Sequence, residues 1–79
     1  MFDLVLISNE EKIYEGKIEE VNVLTDIGPI SILPQHQPYI TKIKDNICIK
    51  KPKSTIENIA ITTGFLYTNG ARCFIVIEK

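Results

Sequence analysis

The sequence predicts an all-β domain, and three observations predict it. Apolar residues fall in short runs rich in Ile and Val, polar clusters break those runs at short intervals, and no apolar stripe at helical spacing persists for three turns. Many short strands joined by turns fold as a β-sandwich or a small barrel. With 79 residues, the chain has room for one domain and one core, and residues 1–79 are read as that domain.

Phe2 to Ile7 forms the first strand, ended by the polar cluster Ser8-Asn9-Glu10-Glu11. Lys12 to Glu15 opens the second, up to Gly16. Beyond it the apolar spacing of Ile18, Val21 and Val23 slips by one at Glu19-Glu20, and a β-bulge there turns all three toward one core. Ile30 to Leu33 is a short strand that enters Pro34-Gln35-His36-Gln37-Pro38. The two prolines fix the backbone around the only histidine, so His36 sits on a stiff, presented loop, the kind of segment that carries function.

Tyr39 to Lys44 alternates as a strand, Asp45-Asn46 predicts a tight turn, and Ile47 to Lys50 is a further strand. Lys51-Pro52-Lys53-Ser54 has the composition of a hairpin loop, and Thr55 to Thr63 returns with Ile59 and Ile61 on one face. Gly64 interrupts this run, but Phe65 and Tyr67 resume the pattern, which predicts a bend or bulge rather than a strand end. Asn69-Gly70 predicts a type I′ hairpin turn. The nearly continuous apolar run from Ala71 to Ile77 predicts a strand covered on both faces.

The composition is 44% hydrophobic, which places the chain among folding sequences rather than disordered ones. A formal net charge of -1 argues against a dedicated nucleic-acid binder or a polycationic membrane-surface protein. The charges are segregated: acids dominate the first 30 residues, whereas Lys42, Lys44, Lys50, Lys51 and Lys53 cluster in the middle. Cys48 and Cys73 each lie in an apolar run, without the Cys-x-x-Cys spacing or second histidine of a metal site, and read as buried free thiols. The start Met1-Phe2-Asp3 lacks the basic opening of a signal peptide, and the apolar run after it is too short for a membrane helix. A reducing, cytoplasm-type compartment is expected.

Catalytic readings find little support. His36 could pair with Ser8, Ser31 or Ser54, but none of these serines sits in a nucleophile-elbow sequence. Adjacent carboxylates at Glu10-Glu11 and Glu19-Glu20 point to opposite faces of a strand and converge on no reacting atom. The glycines at 16, 28, 64 and 70 are scattered and none opens a helix, so no nucleotide site is read. The lysine cluster beside Tyr39 could line an oligonucleotide groove on a small barrel, but few aromatics accompany it, and a solvated, edge-protecting face accounts for it better. What remains is a β module whose distinctive part is a rigid, mostly uncharged loop, the composition of a protein contact surface.

Ile32-Leu33-Pro34-Gln35-His36-Gln37-Pro38 resembles the Leu-Pro-Gly-His-Ala-Pro segment of the epsilon subunit of the F-type ATP synthase. Tyr14-Glu15-Gly16 with Ile18, Val21 and Val23 is similar to that family's Phe-x-Gly and Val-x-x-Val-x-Val strand. Gly28 falls at its acidic Gly-Glu-hydrophobic-Gly turn, and Thr63-Gly64-Phe65-Leu66 resembles its Gly-Gly-Phe-Leu. The likeness spans roughly residues 2 to 77, with motif order kept.

The resemblance implies a ten-stranded β-sandwich of two antiparallel sheets, a non-catalytic part of the rotor stalk that grips the gamma subunit and rests on the c-ring. It implies no cofactor and no metal, no nucleic acid, no membrane insertion, and a peripheral place on the cytoplasmic face of the inner (plasma) membrane. By position, Ser8, His36 and Thr41 match the gamma-facing surface. Asp26, Ile27, Gly28, Pro29 and Ile30 match the c-ring-facing turn.

The sequence also departs from the family. Pro29 stands where an acid is usual, Ser31 and Thr63 replace glycines, and Gln35 and Gln37 replace the glycine and alanine flanking the histidine. Contact with the c-ring would then use Asp26, backbone or apolar surface, and the larger side chains at 35 and 37 would re-aim the packing at gamma. Family members usually continue into a helical hairpin that inhibits ATP hydrolysis and sometimes binds ATP. With the sequence ending at Glu78-Lys79, the expectation is a coupling role without an inhibitory switch and without ATP binding. The alternatives are a small oligonucleotide-binding β-barrel and a free-standing β-sandwich adaptor.

Overall fold

The alternation of apolar and polar residues becomes seven strands in the computed structural model, which describes residues 1–9, 11–35 and 37–78. They are β1 (Phe2–Ser8), β2 (Glu11–Ile18), β3 (Glu20–Thr25), β4 (Gly28–Ile32), β5 (Tyr39–Lys50), β6 (Ile56–Thr68) and β7 (Arg72–Glu78). A 3₁₀ turn at Pro52–Ser54 joins β5 to β6, as the hairpin loop expected there. One hydrogen-bonded sheet holds them in the order β2-β1-β7-β6-β5-β3-β4. Every neighbouring pair is antiparallel except β1 with β7, which is parallel.

Period-two burial shows how the strands build the core. β1 buries Phe2, Leu4 and Leu6, and β7 buries Cys73, Ile75 and Ile77, each leaving the intervening side chains on the other face. All seven strands contribute to one cluster, including Ile18 of β2, Val21 of β3, Ile32 of β4, Ile47 of β5 and Leu66 of β6. Each fully buried Leu or Ile contributes about 1.5–3 kcal/mol.

A flat sheet cannot enclose that cluster. β6 has 13 residues, which would span about 40 Å if straight, whereas the longest axis of the molecule is 27 Å. The strand bends where Ile61 and Thr62 together oppose Asp45 of β5 between the pairs Lys44↔Thr63 and Asn46↔Ala60. Asp45 takes a φ of 68° there. The bulge divides the sheet into two layers: β2, β1, β7 and the first half of β5 with the second half of β6, against β4, β3 and the opposite halves.

Seven strands in one folded sheet therefore stand where the resemblance implied ten in two sheets, because β5 and β6 run unbroken through both layers. Asp45-Asn46 is accordingly a bulge partner inside β5, not a tight turn. The chain corner also differs from expectation. Ile18, Val21 and Val23 are all buried, but β2 ends at Ile18 and β3 begins at Glu20 on a new partner, with the Glu19 N–H donating to the Lys50 carbonyl at 2.8 Å.

The bulge shifts the inward phase of β6 from odd to even residues, so Gly64, Leu66 and Thr68 turn inward and Phe65 and Tyr67 turn out. Asn69 lacks the positive φ of a type I′ turn, and only Gly70, at 95°, supplies one. Instead the Asn69 Oδ1 accepts from the N–H groups of Ala71 (3.1 Å) and Arg72 (2.9 Å), an Asx-type turn. β7 is covered on one face only, since Val76 is exposed.

Candidate partner-binding surfaces

The proline-bracketed loop follows β4 and lies against the turn between β6 and β7. Gln35 sits at a φ of 65°, and its N–H donates to the Gly70 carbonyl at 3.0 Å. Thr68, almost fully buried, anchors that turn from below by donating to the Arg72 carbonyl at 3.1 Å. The Asp3 N–H donates to the Ala71 carbonyl at 3.2 Å, and Lys17 pairs with Asp3 at 3.3 Å. Pro34, Gln35, Gln37 and Pro38 thus line an open cleft of about 770 Å³ together with Asp3, Lys17 and Gly70. His36, the residue singled out in the sequence, lies outside the described residues, as do Glu10 and Lys79.

Ser8 and Thr41 belong to the same layer but are not brought together. Ser8 ends β1, buried on the inner face between Glu11 and Ile77 in register. Thr41 is half-buried on β5 opposite Leu66, its hydroxyl donating to the Lys42 carbonyl at 3.1 Å. Three strand steps separate β1 from β5, roughly 14 Å along the sheet.

The residues Asp26 to Ile30 occupy the β3–β4 hairpin at the other end of β4 from the proline loop. Thr25 builds this turn: its hydroxyl donates to the Gly28 carbonyl at 2.8 Å and accepts from the Ile27 N–H at 3.2 Å. Gly28 adopts a φ of 122°, which side-chain-bearing residues rarely take. Asp26 pairs with Lys44 at 3.3 Å, Ile30 packs against the core, and Ile27 and Pro29 project into solvent.

A third surface escaped the sequence reading. On the outer side of β5, β6, β7 and β1, the pairs align Ile40, Tyr67, Phe74 and Val5 in one row and Lys42, Phe65, Val76 and Ile7 in the next. Ile40 is 70% exposed, Phe65 58% and Val76 53%, while the Tyr67 and Phe74 rings stack with centroids 6.4 Å apart. Contiguous apolar surface of this kind marks an interaction face. The signal was present in the apolar residues that fill both phases of Phe65 to Tyr67 and of Phe74 to Ile77, but only the bulge decides which phase faces out.

The basic residues are partly neutralised. Lys51 pairs with Glu57 and stands 4.9 Å over the Tyr14 ring, and its hydrogen bond to Glu57 holds its pKa above the usual lysine value. Both cysteines are free thiols, but only Cys73 is buried; Cys48, an outward residue of β5, is half-exposed. Among the described residues no cluster of three potential metal ligands occurs, and no helix is long and apolar enough to cross a membrane.

Comparison with known proteins agrees with this geometry. The model of the ATP synthase delta/epsilon chain β-sandwich domain matches residues 1–79. The ATP synthase epsilon chain of Nitrosomonas eutropha is 36% identical over 67 residues, covering 84% of this chain and 48% of that protein. That of Halalkalibacterium halodurans is 29% identical over 73 residues, covering 92% and 55%. The chain thus spans about half the length of the curated relatives it matches. Among solved structures, a chain of the Euglena gracilis mitochondrial ATP synthase (OSCP/F1/c-ring) superposes with a TM-score of 0.93 at 16% identity, covering 99% of this chain and 51% of that one. A chain from the Tetrahymena thermophila mitochondrial ATP synthase central stalk and c-ring gives 0.80 at 12%, covering 99% and 63%. With the family model matched from end to end and the all-β fold shared, the chain belongs to the family of the ATP synthase delta/epsilon chain β-sandwich domain.

Proposed function

We propose that this chain acts as a single non-catalytic domain of the ATP synthase rotor stalk, coupling the gamma subunit to the c-ring during proton-driven ATP synthesis. The observation that carries the reading is the exposed apolar face of β5, β6 and β7, where Ile40, Phe65, Tyr67 and Val76 lie side by side next to the proline loop, an arrangement that marks an interaction site. A gamma subunit would cover that face and the loop, with His36 as a family-matched contact; the other two family-matched residues, Ser8 and Thr41, turn to the inner side of the sheet and would lie beneath that contact, while the β3–β4 hairpin would face the c-ring. The domain would then be peripheral, on the cytoplasmic face of the coupling membrane, and would bind neither nucleotide nor nucleic acid.

Neutralisation of Lys44 by Asp26 and of Lys51 by Glu57 works against an oligonucleotide groove. The test is a titration of the purified chain with the gamma subunit and, separately, with single-stranded oligonucleotide. Saturable binding to gamma, weakened by His36→Asp with an unchanged circular dichroism spectrum, is expected. Oligonucleotide affinity that falls steeply with salt, without gamma binding, would favour the barrel reading instead.

A further inference from the structure

Tyr14-Glu15-Gly16 and Lys51 stand out in the sequence yet take no part in the proposed contacts, and the fold brings them together. β2 is an edge strand whose one partner is β1, and the register between the two skips Ile13. It buries Ile18 fully, while Ile13 and Tyr14 pack only part-way against the core. A strand with so little burial and one open side unfolds locally at low free energy.

The Tyr14 ring is fixed where it meets the opposite layer. Its hydroxyl donates to the Lys17 carbonyl at 3.1 Å, and it lies over Gly16, where a Cβ would stand 3.5 Å from that hydroxyl oxygen. Lys51, which follows β5 in the other layer, sets its amine 4.9 Å from the ring centroid and pairs with Glu57 of β6. Its own N–H donates to the Thr55 carbonyl at 2.7 Å, so the lysine backbone is held as well. An ammonium over a ring face is attracted by the ring quadrupole, more strongly where water is kept away, and the Lys51 side chain is only 27% exposed. Among the described residues no backbone ladder joins β2 to β6. Side chains alone close this side of the sandwich.

We propose that Lys51 is a latch, clamped to its own layer by Glu57 and seated on Tyr14 of β2. While it is in place β2 stays closed on the core; without it β2 opens as a unit, ahead of the rest of the sheet. Opening bares the β1 edge, whose freed N–H and C=O groups would accept another strand.

The test is native-state hydrogen–deuterium exchange of the purified chain, the parent beside Lys51→Met, Lys51→Arg, Tyr14→Leu and the double variant of Lys51→Met with Tyr14→Leu. Lys51→Met keeps the apolar stem and removes the charge. It is expected to speed exchange in residues 11–17 about fivefold, while residues 47–49 and 73–77 exchange as in the parent. Tyr14→Leu gives a local rise at least as large, the double variant adds little to it, and Lys51→Arg, which retains the charge and the ring contact, stays near the parent. Unchanged exchange of residues 11–17 in Lys51→Met overturns the latch. Acceleration spread evenly over every strand overturns it too, as does a double variant in which the two effects multiply in full, because Lys51 would then not act on β2 through Tyr14.

Discussion

Gly64 of β6 lies against the Val76 carbonyl of β7 so closely that a Cβ at position 64 would come within 2.6 Å of that oxygen. The same Cβ would meet the Ile77 Cγ2 at 3.1 Å. The obstacle is backbone, which cannot turn aside as a side chain does. Gly64→Ala is expected to destabilise the domain by about 1–3 kcal/mol through overpacking, read as a lower urea midpoint with an unchanged slope. A variant as stable as the parent would mean that β6 and β7 separate locally at little expense.

Gln35 occupies a left-handed backbone conformation, φ 65°, at the position where the related segment has glycine. That conformation is unfavourable by roughly 1 kcal/mol for a residue with a Cβ. Gln35→Gly is expected to change stability by less than that amount and in the stabilising direction, since the relief of strain is partly offset by the greater freedom of glycine in the unfolded chain. Thermal melts of the two proteins check this.

Phe65 and Leu66 are neighbours in sequence with opposite roles. Leu66 is fully buried and Phe65 is more than half exposed. Leu66→Ala should cost about 2–5 kcal/mol of stability, whereas Phe65→Ser should change stability by less than about 1 kcal/mol and yet weaken gamma binding. Unfolding curves paired with a gamma titration separate the two effects.

Burial pushes the Cys73 thiol up from 9.0 to about 12. Below pH 9 the thiol is protonated in both the folded and unfolded chain, so the full stability is present. Above it the unfolded chain ionises first and binds fewer protons, so stability falls as pH rises, by about 1.4 kcal/mol per unit until the folded thiol titrates. Denaturant melts from pH 8 upward should show this slope, as pH approaches about 12, and Cys73→Ala should flatten it. In native protein a thiol reagent should modify Cys48 readily and Cys73 only on unfolding.

Much of this architecture was legible because period-two alternation alone identifies strands: Phe2 to Ile7, Tyr39 to Lys44 and Ile47 to Lys50 all emerge within the observed strands. What alternation cannot supply is continuity. Asp45 and Asn46 have turn composition, yet cross-strand pairing on both sides holds them inside β5, and the two-against-one bulge opposite Asp45 then reverses the phase of β6. Phe65 and Tyr67 accordingly face out although they continue the odd-numbered series of Ile59 and Ile61. Asn69-Gly70 marks the turn, but by a different mechanism, because the Asn69 side chain caps it where a type I′ turn would need a positive φ at Asn69 itself. The same phase reversal hid the exposed apolar face of β5 to β7, while the proline loop and the β3–β4 hairpin could be located from Pro34, Pro38 and Gly28.

A place in the rotor stalk requires gamma to cover the outer face of β5 to β7 together with the proline loop. Hydrogen–deuterium exchange of the chain, alone and saturated with the gamma subunit, tests it most directly. Slowed exchange in residues 33–42 and 64–76 is expected on binding, with the β3–β4 hairpin unchanged. Binding that protects only residues 25–30, or no binding by a natively folded chain, would contradict it.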